Sequence, residues 1–391
     1  MTPAGALGGN GLRVLGAALE DIPADERTAA RFATVYHAVG RRFDLVGNVR
    51  PHVPELGDYV NKLVHFHPQR DGWRARAGFS PWRFARRSES IERQLEQHWR
   101  GRYDVILQLQ TLFAPGTHPG DRAYTVFTDN TYSLTKRHFP DWAPLPPRQS
   151  RRWAELEAMT CRAARYVFVP SDLVRETMIA DYACEPERVV KVGFGTAIYE
   201  PQLSARRWDT QAALFVGIQF ARKGGPTLLE AWGQVARELP DAELWIVGPR
   251  SGPPGDLPPG VRWLGFVSGR DALADLYRRA SAFVLPSIFD PYPNVLREAM
   301  GHGLPCVGSD SGGIPEIIMQ GKTGLVAPVG EPEPLAQALI DLLGDPARAE
   351  RMGRAAHAAV TSSQTWDHVA ARMAPYIERA ARSVSVTDVG A

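Results

Sequence analysis

Short apolar runs alternate with stretches of helical periodicity along most of this chain, and that alternation restricts it to parallel sheets flanked by helices. Strand-like runs are expected at Leu12–Ala17, Phe43–Val46, Leu63–Phe66, Asp104–Leu109, Ala123–Thr128, Tyr166–Pro170 and Val189–Val192. Between them, helical patterns cover Glu26–Val39, Ser88–Trp99, Arg151–Arg165 and Ser171–Tyr182, the last with Ser171 placed as N-cap. Around Gly193–Asp209 the pattern lapses into Gly, Pro and polar residues, as a linker does. It then restarts with strands at Ala213–Val216, Leu244–Val247, Val261–Leu264, Ala282–Leu285 and Pro305–Gly308. Helices are expected at Pro226–Glu238, Asp271–Ala280 and Val295–His302, and from Pro332 onward the chain is mostly helical. Two α/β domains, 1–200 and 205–365, follow from this, with a ligand beyond the carboxyl ends of the strands in the crevice between them.

Composition narrows the class. The 391 residues hold 45 Lys and Arg against 43 Asp and Glu, which excludes a nucleic-acid binder that depends on bulk positive charge. No apolar run is long enough to cross a membrane, and Arg13 interrupts the apolar stretch nearest the N-terminus, which does not read as a secretory signal. Cys161, Cys184 and Cys306 are widely spaced small hydrophobes, so a cytoplasmic setting is expected. One window departs from the balance: Trp73–Arg87 has five arginines, no acid and four interleaved aromatics. It suits peripheral contact with an anionic membrane surface or a phosphate-bearing acceptor; the plainer alternative is a solvated loop anchored by its aromatics.

Several chemistries are missing from the sequence. The Gly5–Gly11 cluster precedes a strand, whereas a dinucleotide fingerprint follows one. Gly321-Lys322-Thr323 would end a P-loop, but Glu316 occupies the upstream glycine position. No D-x-D, H-E-x-x-H or G-x-S-x-G occurs, so no metal site or cofactor is expected.

What remains is concentrated in Ser281–Ile318. A strand enters a Pro-rich loop containing Asp290, and a helix follows from near Asn294 with Glu298 in or just past its first turn. Both acids can then face one cavity at a helix N-terminus, whose free N–H groups hold a phosphate. Gly312 and Gly313 allow close backbone approach to a ligand. Earlier, the strand Ala213–Val216 runs into Gly217–Gly225, which places Arg222 and Lys223 where they can neutralise a diphosphate. Acids for sugar hydroxyls beside donors for phosphate are what a nucleotide-sugar site needs.

At these residues the chain resembles glycosyltransferase family 4, of GT-B architecture: two Rossmann-like domains facing each other across a cleft. The resemblance rests on FVGIQFARKGG, LWIVGP, VRWLGFV, the Asp290–Glu298 segment with AMGHGLPCVGSDSGGIPE, and TGLVAP. It is looser at Ala163–Met178 and Arg188–Thr196. The resemblance implies retaining transfer of a sugar from a nucleoside diphosphate, UDP or GDP, to a sugar, lipid-linked or other glycan acceptor, without a metal. It also implies that a helix from Trp366 to about residue 385 rejoins the first domain. By similarity Asp290 would contact the donor sugar, Glu298 the ribose and Lys223 the diphosphate, with Arg222 beside it. Asn294 and Val295 would offer backbone N–H groups to the diphosphate, and Phe266 and Val267 would read the base. Asp129, in the Thr128–Tyr132 loop, would touch acceptor or sugar, or else cap a helix.

The chain differs from the family pattern at Asp290, where the first acid is usually Glu, at Ile218 for an arginine, at Thr128 for a histidine, and at Ala17-Ala18-Leu19 for a Gly-rich loop. A same-fold epimerase or sugar phosphorylase, or a non-catalytic glycosyltransferase-like subunit, therefore stand as alternatives.

Overall fold

The computed structural model describes residues 11–19, 34–68, 70–196, 203 and 206–382. Most of the Gly5–Gly11 cluster, the start of the helix expected from Glu26, and 197–202 and 204–205 of the expected linker lie outside these residues. The chain divides into two compact units, Met1–Gly195 with Trp366–Ala391, and Thr196–Thr365.

Unit 1 runs β1 (Arg13–Ala17), α1 (Thr34–Gly40), β2 (Asp44–Val49), α2 (Glu55–Val64), α3 (Arg70–Gly78), α4 (Pro81–Gln94), β3 (Val105–Leu109) and β4 (Tyr124–Phe127). It continues with α5 (Tyr132–His138), α6 (Pro147–Ala163), β5 (Tyr166–Val169), α7 (Asp172–Ala180) and β6 (Val189–Lys191). The six described strands are parallel, in the order β2-β1-β3-β4-β5-β6. Every residue of β3 is buried, as expected of a parallel strand covered on both faces. Its one polar side chain, Gln108, donates from Nε2 to the carbonyls of Gln110 (2.8 Å) and Phe113 (2.7 Å). α7 opens at Ser171, whose Oγ accepts from the Val174 N–H at 3.2 Å, the cap that the sequence indicates.

Two expectations fail in unit 1. Leu63–Phe66 is no strand; Leu63 and Val64 end α2, because the apolar positions 56, 59, 60, 63 and 64 follow a helical period. Trp73–Arg87 is no solvated loop either. It forms the end of α3 and the start of α4, which Ser80 caps (3.2 Å from Oγ to the Arg83 N–H) with Pro81 at the first helical position. Phe84 from this stretch is buried with Trp153, their rings meeting edge to face at 5.5 Å.

The last described helix, which closes unit 1 as α13 (Trp366–Arg382), buries Trp366, Val369, Met373 and Ile377 in this unit. The Trp366 ring lies 4.7 Å from that of Phe194, and Arg372 Nε donates to the Val192 carbonyl at 2.7 Å.

Unit 2 comprises β7 (Ala212–Val216), α8 (Gly225–Glu238), β8 (Glu243–Val247), β9 (Val261–Gly265), α9 (Arg270–Arg279) and β10 (Ala282–Leu285). Then come α10 (Asn294–Gly301), β11 (Cys306–Ser309), β12 (Gly324–Ala327), α11 (Pro332–Leu343) and α12 (Pro346–Ser363). Its six described strands are again parallel, in the order β12-β11-β10-β7-β8-β9. The order reverses between β7 and β10, so the loops after these two strands diverge from one edge and leave a crevice there.

Candidate functional site

In unit 2 the residues singled out by sequence stand past the carboxyl ends of strands: 217–224 after β7, Phe266 and Val267 after β9, Asp290 after β10, and Gly312 and Gly313 after β11. The turn after β7 is held by its own backbone, Lys223 N–H to Gln219 O at 3.0 Å and Gly225 N–H to Phe220 O at 2.9 Å. It ends at Gly224, in the left-handed region with φ +77, where a Cβ would run into the Pro286 carbonyl. A hydrogen bond from Ile288 N–H to Arg222 O (3.0 Å) ties this turn to the β10–α10 loop.

Across that junction Lys223 Nζ donates to Asp290 Oδ2. Arg222 Nη1 reaches the Phe289 carbonyl at 3.1 Å and Asp290 Oδ2 at 3.5 Å, while its Nε donates to Gln219 Oε1 at 2.7 Å. Two cations thus share one nearly covered carboxylate. Asp290 does not cap α10: the N-cap is Pro293, which offers no side-chain cap. Asn294 and Val295 are the first two helical residues, with no acid in that turn.

Gly312 and Gly313 make their close approach to the chain itself. Gly312 has φ +64, and a Cβ there would collide with Asp290 O; Gly313 N–H donates to that same oxygen at 2.9 Å. Ser311 Oγ and Ser309 Oγ add bonds to the carbonyls of Ile288 (2.7 Å) and Ser287 (2.6 Å). The loop bearing Asp290 is therefore pinned from both sides.

Glu298 is not brought onto this cluster by any of these bonds. It lies in the second turn of α10, half-buried, and accepts from the Tyr277 hydroxyl at 3.4 Å. Burial, then the Glu298 charge, pushes the Tyr277 phenol up. His302 packs against Tyr277 with rings stacked at 4.9 Å and 18°, a helix-end packing role. Phe266 is exposed beneath the Arg250 guanidinium, 4.0 Å from the ring centroid. Tyr277, Gln219 and Arg250 were not picked out by sequence; Gln219 alone lay inside a quoted motif.

In unit 1, Asp129 follows β4 and is half-buried, but Thr131 caps α5, its Oγ1 accepting from Leu134 N–H at 3.0 Å. The element behind this loop is Glu157 of α6, fully buried. It accepts from the Thr111 and Tyr182 hydroxyls and from the Tyr132 N–H at 2.9 Å. Burial pushes its carboxyl up against the opposing pull of these three bonds.

Among the described residues no group of three His, Cys, Asp or Glu side chains is placed to hold a metal ion, and no helix is long and apolar enough to cross a membrane.

Residues 210–345 match the family model of glycosyl transferases group 1. A stretch of 110 residues is 39% identical to glycogen synthase of Mycobacterium tuberculosis, covering 28% of this chain and 26% of that protein. The chain spans between 26% and 64% of the length of the curated relatives it matches first. Among solved structures, sucrose-phosphate synthase from Thermosynechococcus elongatus superposes with a TM-score of 0.68 at 18% identity, over 94% of this chain and 98% of that one. HepE of Anabaena, solved with UDP and glucose, superposes with a TM-score of 0.60 at 17% identity, over 94% of this chain and 100% of that one. The chain has the two-unit α/β fold of GT-B glycosyltransferases, and its second unit carries the match to glycosyl transferases group 1.

Proposed function

We propose that the chain is a retaining glycosyltransferase of family 4 that moves a sugar from a nucleoside diphosphate, UDP or GDP, to an acceptor hydroxyl on a sugar, glycan or lipid-linked carrier. The observation that carries this reading is the convergence of Lys223, Arg222 and Asp290 at the β7/β10 crevice beside the uncapped start of α10. The group 1 match over the same residues and the UDP and glucose bound by the Anabaena relative support it.

In the reaction, the bond from the anomeric carbon to the diphosphate oxygen breaks and the acceptor oxygen bonds to the same face. The acceptor proton passes to the departing phosphate. Negative charge grows on the diphosphate, and Lys223, Arg222 and the N–H groups of Asn294 and Val295 stabilise it, so a metal is not obligatory. Asp290 holds the two cations and turns toward the sugar hydroxyls. Glu298, steadied by Tyr277, takes the ribose, and the backbone at Phe266 and Val267 borders the base. Gly312 and Gly313 hold the Asp290 loop in place. Asp129 lies on the acceptor side.

Calorimetry and product detection with UDP-, GDP-, ADP- and dTDP-sugars, with and without EDTA, test this. One donor bound, with slow EDTA-insensitive hydrolysis, is the expected result; binding of none of them overturns the reading.

A further inference from the structure

Helix α2 is built inside out. Its inward side is polar: buried Asn61 donates from Nδ2 to Ala77 O at 3.0 Å and accepts from Ser80 Oγ at 2.7 Å. Asp58 pairs with Lys62 at 2.8 Å and Arg83 at 3.2 Å, and at the margin between the two sides Gly57 faces the half-exposed Trp82 ring. The opposite side carries Leu56, Tyr59, Val60, Leu63 and Val64, each between 50% and 78% exposed, and Phe66 just beyond is 66% exposed. With Trp82 these make up seven of the fourteen exposed large hydrophobics among the described residues, so this is one patch and not scattered exposure.

The surroundings are basic. Residues 50–87 hold eight Lys and Arg against three Asp and Glu. One of those acids, Asp58, is already covered by Lys62 and Arg83, whereas Arg50, Arg70 and Arg74 are exposed; Arg86, also exposed, pairs with Glu89 at 2.8 Å. Two copies of this patch meeting face to face would bring like charges together, which disfavours self-association. An apolar helix face with Tyr and Trp at its margin and arginines around it fits the boundary between headgroups and acyl chains of an anionic bilayer.

We propose that the exposed face of α2 seats unit 1 on an anionic lipid surface, with α2 in the plane of the interface and the flanking arginines on the headgroups. The contact expected from Trp73–Arg87 thereby shifts to the preceding helix, and the arginine stretch becomes its electrostatic rim. This proposal is independent of the transferase reading, because lipid binding needs no turnover.

The test is sedimentation of the full chain with phosphatidylcholine vesicles and with vesicles containing about one part phosphatidylglycerol in three. The wild type is expected to bind the anionic vesicles at least about tenfold more tightly than the neutral ones. L63Q with V64Q, and separately R70E with R74E, should each weaken that binding by about tenfold or more. Both pairs are surface changes, and circular dichroism checks that the fold is retained. No sedimentation with either vesicle, or binding indifferent to the Leu63/Val64 pair, overturns the proposal. So does a wild-type dimer that the same pair dissolves, since the occupant is then a second copy.

Discussion

Lys223 and Asp290 are 67 residues apart in sequence and hydrogen-bond past the ends of two neighbouring strands, with side chains only 12% and 11% exposed. Under the proposed function, a donor diphosphate would meet a lysine already partnered by an internal carboxylate. Because charge on the diphosphate would grow as its bond to the sugar breaks, Lys223 would be drawn to it more strongly in the transition state than before.

Replacing Lys223 with Ala is therefore expected to lower kcat by about 10²–10³-fold while the donor KM changes much less. Steady-state kinetics with the identified donor check this. A KM effect alone would assign Lys223 to ground-state binding.

The same pair has a stability signature. Asp290→Asn leaves a covered ammonium without its anionic partner and should cost about 1–3 kcal/mol in urea unfolding. Lys223→Met combined with Asp290→Leu should lose less than the sum of the single changes, because neither charge is then stranded.

Two glycines should respond in opposite directions. Gly312→Ala forces a Cβ into the left-handed region and against Asp290 O, and is expected to cost more than about 1 kcal/mol and to lower turnover. Gly233, inside α8, has nothing within 4 Å of its would-be Cβ. Gly233→Ala should stabilise by about 0.5–1 kcal/mol. Thermal melts of both variants decide.

Glu157 adds a pH dependence. Its carboxyl titrates higher in the folded chain than in the unfolded one, so the fold binds the proton more tightly. Its contribution is greatest below the ordinary carboxyl range and declines as pH rises through that range to the raised value. Glu157→Gln should remove that decline, visible as a flatter stability–pH curve across this window. Glu157→Ala strands three donors and should cost about 3–5 kcal/mol at any pH.

The parallel sheets were legible in the sequence because strands such as β7 and β10, buried on both faces, read as unbroken apolar runs. The loops after β7 and β10 were legible because charge and glycine concentrate where strand gives way to helix. α2 was misread because its apolar residues point away from unit 1, so the run Leu63–Phe66 suggested a buried strand. Glu157 gave no signal at all: it sits between ordinary helix residues, and its partners come from residues 111, 132 and 182. Glu298 falls just past the first turn of α10, within the range the sequence indicates, but its neighbour Tyr277 belongs to a different helix.

The return of α13 to unit 1 also fixes an order of events during synthesis. Thr196–Thr365 lies between the two pieces of the first unit, so the whole of unit 2 leaves the ribosome before Trp366, Val369, Met373 and Ile377 do. The later-encoded unit is thus the first whose contacts are all present. Until then β3, β4 and β5 lack the helix that packs on them, so it is the nascent chain, and not the finished protein, that leaves part of the first sheet uncovered.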